Sequence, residues 1–428
     1  MKKRIFTLAA ALMLMSSFAL ASTCEQMLGK KLCYKIGQML IVGFGGFAQT
    51  ADGAVVFNDS NSSVFNEESL LASDIRQAHI GGVIFFSEPV KDVRTQTFIR
   101  YRNIVNPQQL IQLTTAILNY SRQTNKAQGL PNLPLLLAVD EEGGGVDRLN
   151  AAQGFFQQVT LLPQALGMDE QMSGGNTVKK KRAWAAAKSQ ADLIAKTLHL
   201  YHFNVDFAPV VDVDVNPVNP IIGGRGRSFS SNPAIVVNQA KIFIQALHQY
   251  GIVAAIKHFP GHGSSSGDTH AGLVDVTDTY QPSKELYPYE ALFKLGYVDM
   301  VMTTHVINGQ IDRSQCKKGA FDDHLTWCPG TMSKKTLTGL LRNKLKFNGV
   351  IVSDDMTMGA ITKEYPLPLA LEKAINAGVD MFIVSNNQSN ETMKMVNTIA
   401  RLVKQGKIKR STIDRAYQRI AKLKKRVT

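Results

Sequence analysis

The stretch VAAIKHFPGHGSSSGDTH, residues 253–270, changes character halfway along. Its first seven residues, VAAIKHF, are apolar apart from Lys257 and His258, and such a run reads as a strand buried on both faces. The remainder offers glycines, serines, two further histidines and Asp268, which make a poor wall for a core and read as a mobile polar loop. An apolar strand that ends in chemistry-bearing side chains and opens a polar loop is the local pattern of a parallel α/β fold.

Working outward, the same pattern recurs. Strands are predicted at LIVGFGG (40–46), GGVIFF (81–86), LLLAVD (135–140) and VDFAPVVDV (205–213), before the one already quoted. MVMTTHV (300–306), GVIVSDD (349–355) and DMFIVS (380–385) follow it. Between them lie helical patterns such as PQQLIQLTTAILNYSRQ, KRAWAAAKSQADLIAKTLHL, AIVVNQAKIFIQALHQY and SKKTLTGLLRNKL. Eight strands alternating with crossover helices predict an α/β chain folded as a single (β/α)8 barrel of the TIM type. A doubly wound open sheet is the alternative, but no glycine-rich dinucleotide fingerprint follows the first strand. Residues 47–70 and 307–332 read as excursions from the barrel.

Barrels of this kind carry their chemistry at the C-terminal ends of the strands. Those ends hold Asp140 with Glu141 and Glu142, Asp212, Lys257 with His258, Thr304 with His305, and Ser353 with Asp354 and Asp355. A carboxylate fixed at a strand end is a credible nucleophile for glycoside hydrolysis with retention, which also needs an acid/base about 5 Å away. Glu141 or Glu142 could supply that second group. So could Asp268 and His270, two residues apart, because an aspartate orients an imidazole and supports its charged form near neutral pH.

KHFPGHGSSSGDTH resembles the signature of glycoside hydrolase family 3, and within it the bacterial β-N-acetylglucosaminidases. The resemblance extends, in order, to VDEEGG, APVVDV, the IIG…RSFS stretch, MTTH and SDDMTM, and so covers nearly the whole chain. It implies an exo-acting, retaining β-N-acetylhexosaminidase releasing terminal β-linked N-acetylglucosamine from peptidoglycan fragments or chitooligosaccharides. It also implies Asp354 as nucleophile, His270 as acid/base with Asp268 behind it, and Asp140, Arg148, Arg227, Lys257 and His258 as sugar-binding residues. No cofactor or metal is implied. The chain departs from the family pattern in two places: Gly145 stands where an arginine is usual, and IIGGRGRSFS carries two extra residues, so Arg225 competes with Arg227. His262 reads as a loop-stabilising residue, Asp355 as a support for Asp354, and Asp212 and Asp214 as structural acids of the rim. His305 reads equally as a substrate contact or a strand-end cap. A metal-dependent barrel hydrolase using His258, His262, Asp268, His270 and His305 is the contrasting reading; it leaves Asp354 and Lys257 without distinctive work.

The ends of the chain bear on compartment. MKKR followed by IFTLAAALMLMSSF and Ala19-Leu20-Ala21 reads as residues 1–21 of a secretory signal peptide, leaving a barrel domain over 22–428. The apolar run is too short to span a membrane. Four cysteines in two local pairs, Cys24 with Cys33 and Cys316 with Cys328, predict two disulfides in an exported, periplasmic or secreted protein. Of the formal charge of +14, much sits in the tail after residue 404, where Ile413, Tyr417, Ile420 and Leu423 predict an amphipathic helix with a basic outer face. Aromatic residues do not interleave with the basic ones, so a nucleic-acid partner is not expected. The expected partner is a glycan, and the expected state is a monomer.

Overall fold

The computed structural model describes residues 23–427 apart from 45–46, 50–54, 58–68, 88–89, 92–97, 100–101, 157–158, 317–325 and 386–390. The predicted signal segment therefore lies outside the described residues. Eight parallel strands form the centre: β1 (Leu40–Val42), β2 (Gly82–Ile84), β3 (Leu136–Val139), β4 (Val205–Asp206), β5 (Val253–Phe259), β6 (Met300–Thr303), β7 (Val350–Val352) and β8 (Phe382–Val384). They follow one another around the sheet in chain order, with β8 beside β1. The ring closes between β7 and β8, where the Asp380 and Met381 N–H groups donate to Ile351 O at 2.8 and 3.0 Å, and Ser353 N–H donates to Met381 O at 2.9 Å. Each predicted strand exists; Val253–Phe259 keeps its full predicted length, and the others are shorter than the runs that predict them. Almost every strand residue is buried because its outward side meets a helix and its inward side fills the barrel.

The helices form where the patterns place them: Pro107–Ala127, Thr177–Leu200, Pro233–Gln249 and Arg410–Lys424, among others. Asparagines start three of them. The Asn106 side chain accepts from Gln109 N–H at 2.9 Å, Asn176 from Val178 and Lys179, and Asn232 from Ala234, each satisfying amides that the first helical turn leaves unpaired. Ile413, Ala416, Ile420 and Leu423 of the last helix turn inward against the barrel. Its end crosses toward the N-terminal opening of the strands, where Lys424 Nζ donates to Gln38 Oε1 at 2.7 Å and Arg426 pairs with Asp299. That leaves the C-terminal opening for the polar loops. Both predicted disulfides are formed, Cys24–Cys33 and Cys316–Cys328, and the second ties the ends of the excursion after β6. Among the described residues no helix is long and apolar enough to cross a membrane.

Candidate active site

The carboxyl ends of β3 and β5 meet in a buried chain of alternating charges. Lys257, only 2% exposed at its side chain, lies 2.6 Å from Asp140 Oδ1 and 2.7 Å from Glu142 Oε1. Arg227 grips the same Glu142 through both arms, Nη2 at 2.7 Å from Oε1 and Nε at 2.8 Å from Oε2. Burial alone would raise the Glu142 carboxyl, but the two cations outweigh it and hold it below its usual range. Burial would likewise depress Lys257, yet Asp140 and Glu142 hold it above its ordinary value, so it stays charged. Of these four, Asp140 keeps the most exposed side chain, which makes it the member available to a ligand. Arg148 follows on the same loop, half-buried, its backbone N–H donating to Glu141 Oε2 at 2.7 Å.

Glu141 is a different kind of acid from its neighbour. It is fully buried, receives the backbone amides of Arg148 and Leu149, and faces Asp147 and Asp206. Burial and those two acids push its carboxyl well above the usual range. Asp206 on β4, buried as deeply, is raised mainly by burial and accepts the Glu141 N–H at 3.0 Å. These acids shape the loop after β3 rather than reach the opening.

Between β4 and β5 stands a second pair. Asp212 Oδ2 lies 2.6 Å from His258 Nδ1, and Asp212 Oδ1 accepts the His262 N–H at 2.8 Å. His258 overcomes the burial of Asp212 and lowers its carboxyl, which remains ionised. With Nδ1 held by Asp212, Nε2 is the ring nitrogen left to meet another partner. His262 is wholly buried, Nδ1 2.9 Å from Ser265 Oγ and Nε2 3.4 Å from Thr269 Oγ1. Burial depresses it to about 4, so it is neutral and structural, as its sequence context suggests. Half of the loop is thus not a solvated excursion: Gly261 to Ser265 are buried, fastened by Asn219 Nδ2 to His262 O at 2.7 Å.

At the end of β7, Asp354 faces His305, His258 and His270 electrostatically and accepts the Asp355 N–H at 2.8 Å. Burial would raise its carboxyl; the histidines, His305 first, and the amide bring it below the usual range. Asp355 turns the other way. Its Oδ1 accepts Thr357 N–H at 2.9 Å and Ser385 N–H at 3.2 Å, and burial lifts its carboxyl to about 6. His305 uses both ring nitrogens on protein, Thr331 Oγ1 at 2.8 Å and Asp355 O at 3.0 Å, which resolves its two readings toward a strand-end cap.

The far half of the loop carries Asp268 and His270. His270 Nδ1 lies 2.7 Å from Asp268 Oδ1, which also accepts the His270 N–H at 2.8 Å. The pair is solvent-facing, with the His270 side chain 67% exposed. Burial opposes, but the bonds from His270 outweigh it and lower the Asp268 carboxyl. The loop rests on the segment after β7, where Gly359 N–H donates to His270 O at 3.2 Å and Ala360 N–H to Thr269 O at 3.1 Å. A side chain at Gly359 would bring its first carbon to 2.5 Å from His270 O, so only glycine lets the loop seat there.

Asp354, His258, Lys257, Asp140 and Arg227 are therefore gathered at one end of the barrel, with Asp268 and His270 above them. Sequence reading missed Asp212 as the partner of His258, Glu142 as the counter-ion of Lys257 and Arg227, and Gly359 as the loop seat. The signal for the first two was present as acids at neighbouring strand ends, but which cation each would meet depends on the barrel register. Among the described residues no three His, Cys, Asp or Glu side chains are arranged to hold a metal ion.

Comparison with known proteins identifies the family. The model of the glycosyl hydrolase family 3 N terminal domain matches residues 31–423. Beta-hexosaminidase A of Pseudoalteromonas piscicida is 32% identical over 409 residues, 94% of this chain and 61% of that protein. A beta-hexosaminidase of Haemophilus influenzae is 33% identical over 291 residues, 67% of this chain and 71% of that one. The solved family 3 beta-N-acetylglucosaminidase of Paenibacillus sp. str. FPU-7 superposes with a TM-score of 0.71 at 28% identity, over 92% of this chain and 62% of that one. The chain spans about three fifths of the length of the first and third of these relatives.

Proposed function

The chain belongs to glycosyl hydrolase family 3, and we propose that it is an exo-acting, retaining β-N-acetylhexosaminidase. The reading rests on one observation: a half-buried carboxylate held ionised at the end of β7, Asp354, faces a carboxylate–imidazole pair, Asp268 and the exposed His270. Relatives named as beta-hexosaminidases support the sugar.

In the first step Asp354 Oδ attacks the anomeric carbon while protonated His270 gives its proton to the glycosidic oxygen. The carbon–oxygen bond breaks, and the aglycone departs as an alcohol. Neutral His270 then takes a proton from water, whose oxygen attacks the same carbon and releases Asp354. Asp268 orients the ring and supports its charged form. Asp140, Lys257, His258 and Arg148 bind sugar hydroxyls, and Arg227, anchored by Glu142, stands at the acetamido side. His258 is the better placed of the loop histidines for this, because Asp212 fixes its orientation. We assign residues 1–21 to a cleaved export signal and the remainder to one barrel domain, in keeping with the two disulfides. Terminal N-acetylglucosamine on peptidoglycan fragments or chitooligosaccharides is the substrate class.

The test is nitrophenol release from the β-N-acetylglucosaminide, with and without EDTA, beside Asp354→Ala. Activity that resists EDTA and vanishes in the variant is expected. Activity lost to EDTA, or kept by Asp354→Ala, refutes the mechanism.

A further inference from the structure

The acid/base pair is flanked by two exposed cations that the proposed mechanism does not use. Arg225 ends the short turn Gly223–Arg225, and its Nε donates to Pro220 O at 3.1 Å. Among the described residues its terminal nitrogens have no hydrogen-bond partner, although it lies close enough to Asp268 to help lower that carboxyl. It comes from the loop between β4 and β5. Lys363 comes from the opposite side, after β7, and its Nζ donates to Ala271 O at 2.9 Å, one residue beyond His270.

Their position has a chemical meaning. The group that protonates a glycosidic oxygen stands where the aglycone leaves, so side chains around its outer edge face the leaving sugar rather than the sugar being cleaved. Asp268 attracts Arg225 only from a distance, and among the described residues no ion pair joins either cation to an acid. Asp268 Oδ1 already takes two bonds from His270, and Asp214, beneath the Arg225 turn, is raised by burial. Glu364, next to Lys363, is the remaining acid of that side. A neutral chitooligosaccharide offers such a rim only hydroxyls and acetamides. A carboxylate on the second sugar would find a guanidinium fork on one side and an ammonium on the other.

We propose that Arg225 and Lys363 form a cationic rim on the leaving-group side of the Asp268–His270 pair, selecting substrates whose aglycone sugar carries a carboxylate. That is the chemistry of the lactyl ether or attached peptide of peptidoglycan fragments, and the proposal rests on the hexosaminidase reading above. The rim acts on specificity, not on bond cleavage.

The experiment compares kcat/KM on two disaccharides that differ at one group: N-acetylglucosamine β-linked to a sugar bearing a free lactyl carboxylate, and the same compound as its methyl amide. At low ionic strength the wild-type protein is expected to favour the acid roughly three- to tenfold, the scale of one or two exposed ion pairs. The preference should shrink near 1 M salt, where screening acts within about 3 Å. In the Arg225→Met/Lys363→Met double variant the ratio should fall to about one. Any loosening of the His270 loop cancels in this ratio, because both compounds use the same acid/base. Arg225→Lys should keep part of the preference. Equal rates on the two disaccharides by an active wild type, or a preference that survives the double variant, overturns the rim alone. Absence of cleavage of both the amide and the nitrophenyl sugar overturns the hexosaminidase reading and the rim with it.

Discussion

Glu142→Gln separates a carboxylate that does chemistry from one that holds the site together. Glu142 is fully buried and meets Lys257 Nζ at 2.7 Å and Arg227 at 2.7 and 2.8 Å. The amide keeps the shape but removes the one carboxylate that, among the described residues, pairs with both buried cations. Removing one partner of a buried ion pair costs about 3–5 kcal/mol. At about 2.1 cal/mol/K per residue the folded region has an unfolding entropy near 0.85 kcal/mol/K, so the melting temperature should fall by roughly 4–6 °C. The pH dependence has a definite sign. The folded carboxyl lies below its unfolded value, so its contribution is present above the unfolded pKa of about 4.3 and fades as pH falls through the folded value. Thermal melts of variant and wild type should therefore differ by the same amount at pH 7 and pH 5, and draw together only as the pH is taken well below 4. Glycosidase activity should fall chiefly through KM, as Lys257 and Arg227 lose their positions. A variant that melts with the wild type yet loses kcat by about 10⁴ would refute this account and make Glu142 the acid/base.

Three further perturbations probe other parts of the argument. Asp268→Asn should lower kcat/KM on a sugar leaving group by about 10²–10³ and far less on the nitrophenyl substrate, whose leaving group needs little protonation; equal losses on both would remove the pair from that role. Gly359→Ala forces its added carbon against the His270 carbonyl, so activity should drop tenfold or more while the melting temperature falls by only about 1–2 °C; an unaffected rate would mean the loop seat is not needed for catalysis. Lys424, wholly buried at the opposite end of the barrel, is depressed by burial to about 7. Its folded pKa lies below the unfolded one, so the charging penalty is absent above about pH 10.4, grows as pH falls and is complete below 7. Lys424→Met should accordingly raise the melting temperature by a few degrees at pH 6 and by nothing near pH 10, with the orphaned Gln38 Oε1 offsetting part of the gain; no gain at pH 6 would contradict the burial argument.

The barrel was legible because its signal is repetitive. Each of the eight runs has the same apolar centre, and the structure trims all of them but VAAIKHF, LIVGFGG to Leu40–Val42 and VDFAPVVDV to Val205–Asp206 among them. What the trimming reveals is where the strand stops and the site begins. Asp140, Asp354 and His305 lie one or two residues past their strands, and Asp212 two past the bridge between Val210 and Lys257, where the ladder releases the chain and a polar side chain can turn into the opening. Strand ends were therefore readable as site residues from the sequence, one by one.

Their pairing was not readable in the same way, and the reason is geometric. Asp140 and Glu142 sit two residues apart on one strand end, so a pleated chain sends both toward the same side, and both reach Lys257 on β5. Glu141 between them is turned into the wall, against Asp147 and Asp206, and its carboxyl is shifted in the opposite direction from that of Glu142. Three consecutive acids thus divide into a partly exposed carboxylate, a buried acid raised by its neighbours and a counter-ion, a division that composition cannot express. The loop shows the same principle. Its glycines and serines suggested uniform mobility, yet Gly263 packs against Val213 O closely enough to exclude any side chain, and His262 is locked beneath it, while Asp268 and His270 stay in solvent. The fixed half sets the height of the loop and the exposed half carries the proton. An acid/base that must work on a substrate arriving from solvent needs both: a rigid base for position, and an exposed imidazole that can change charge.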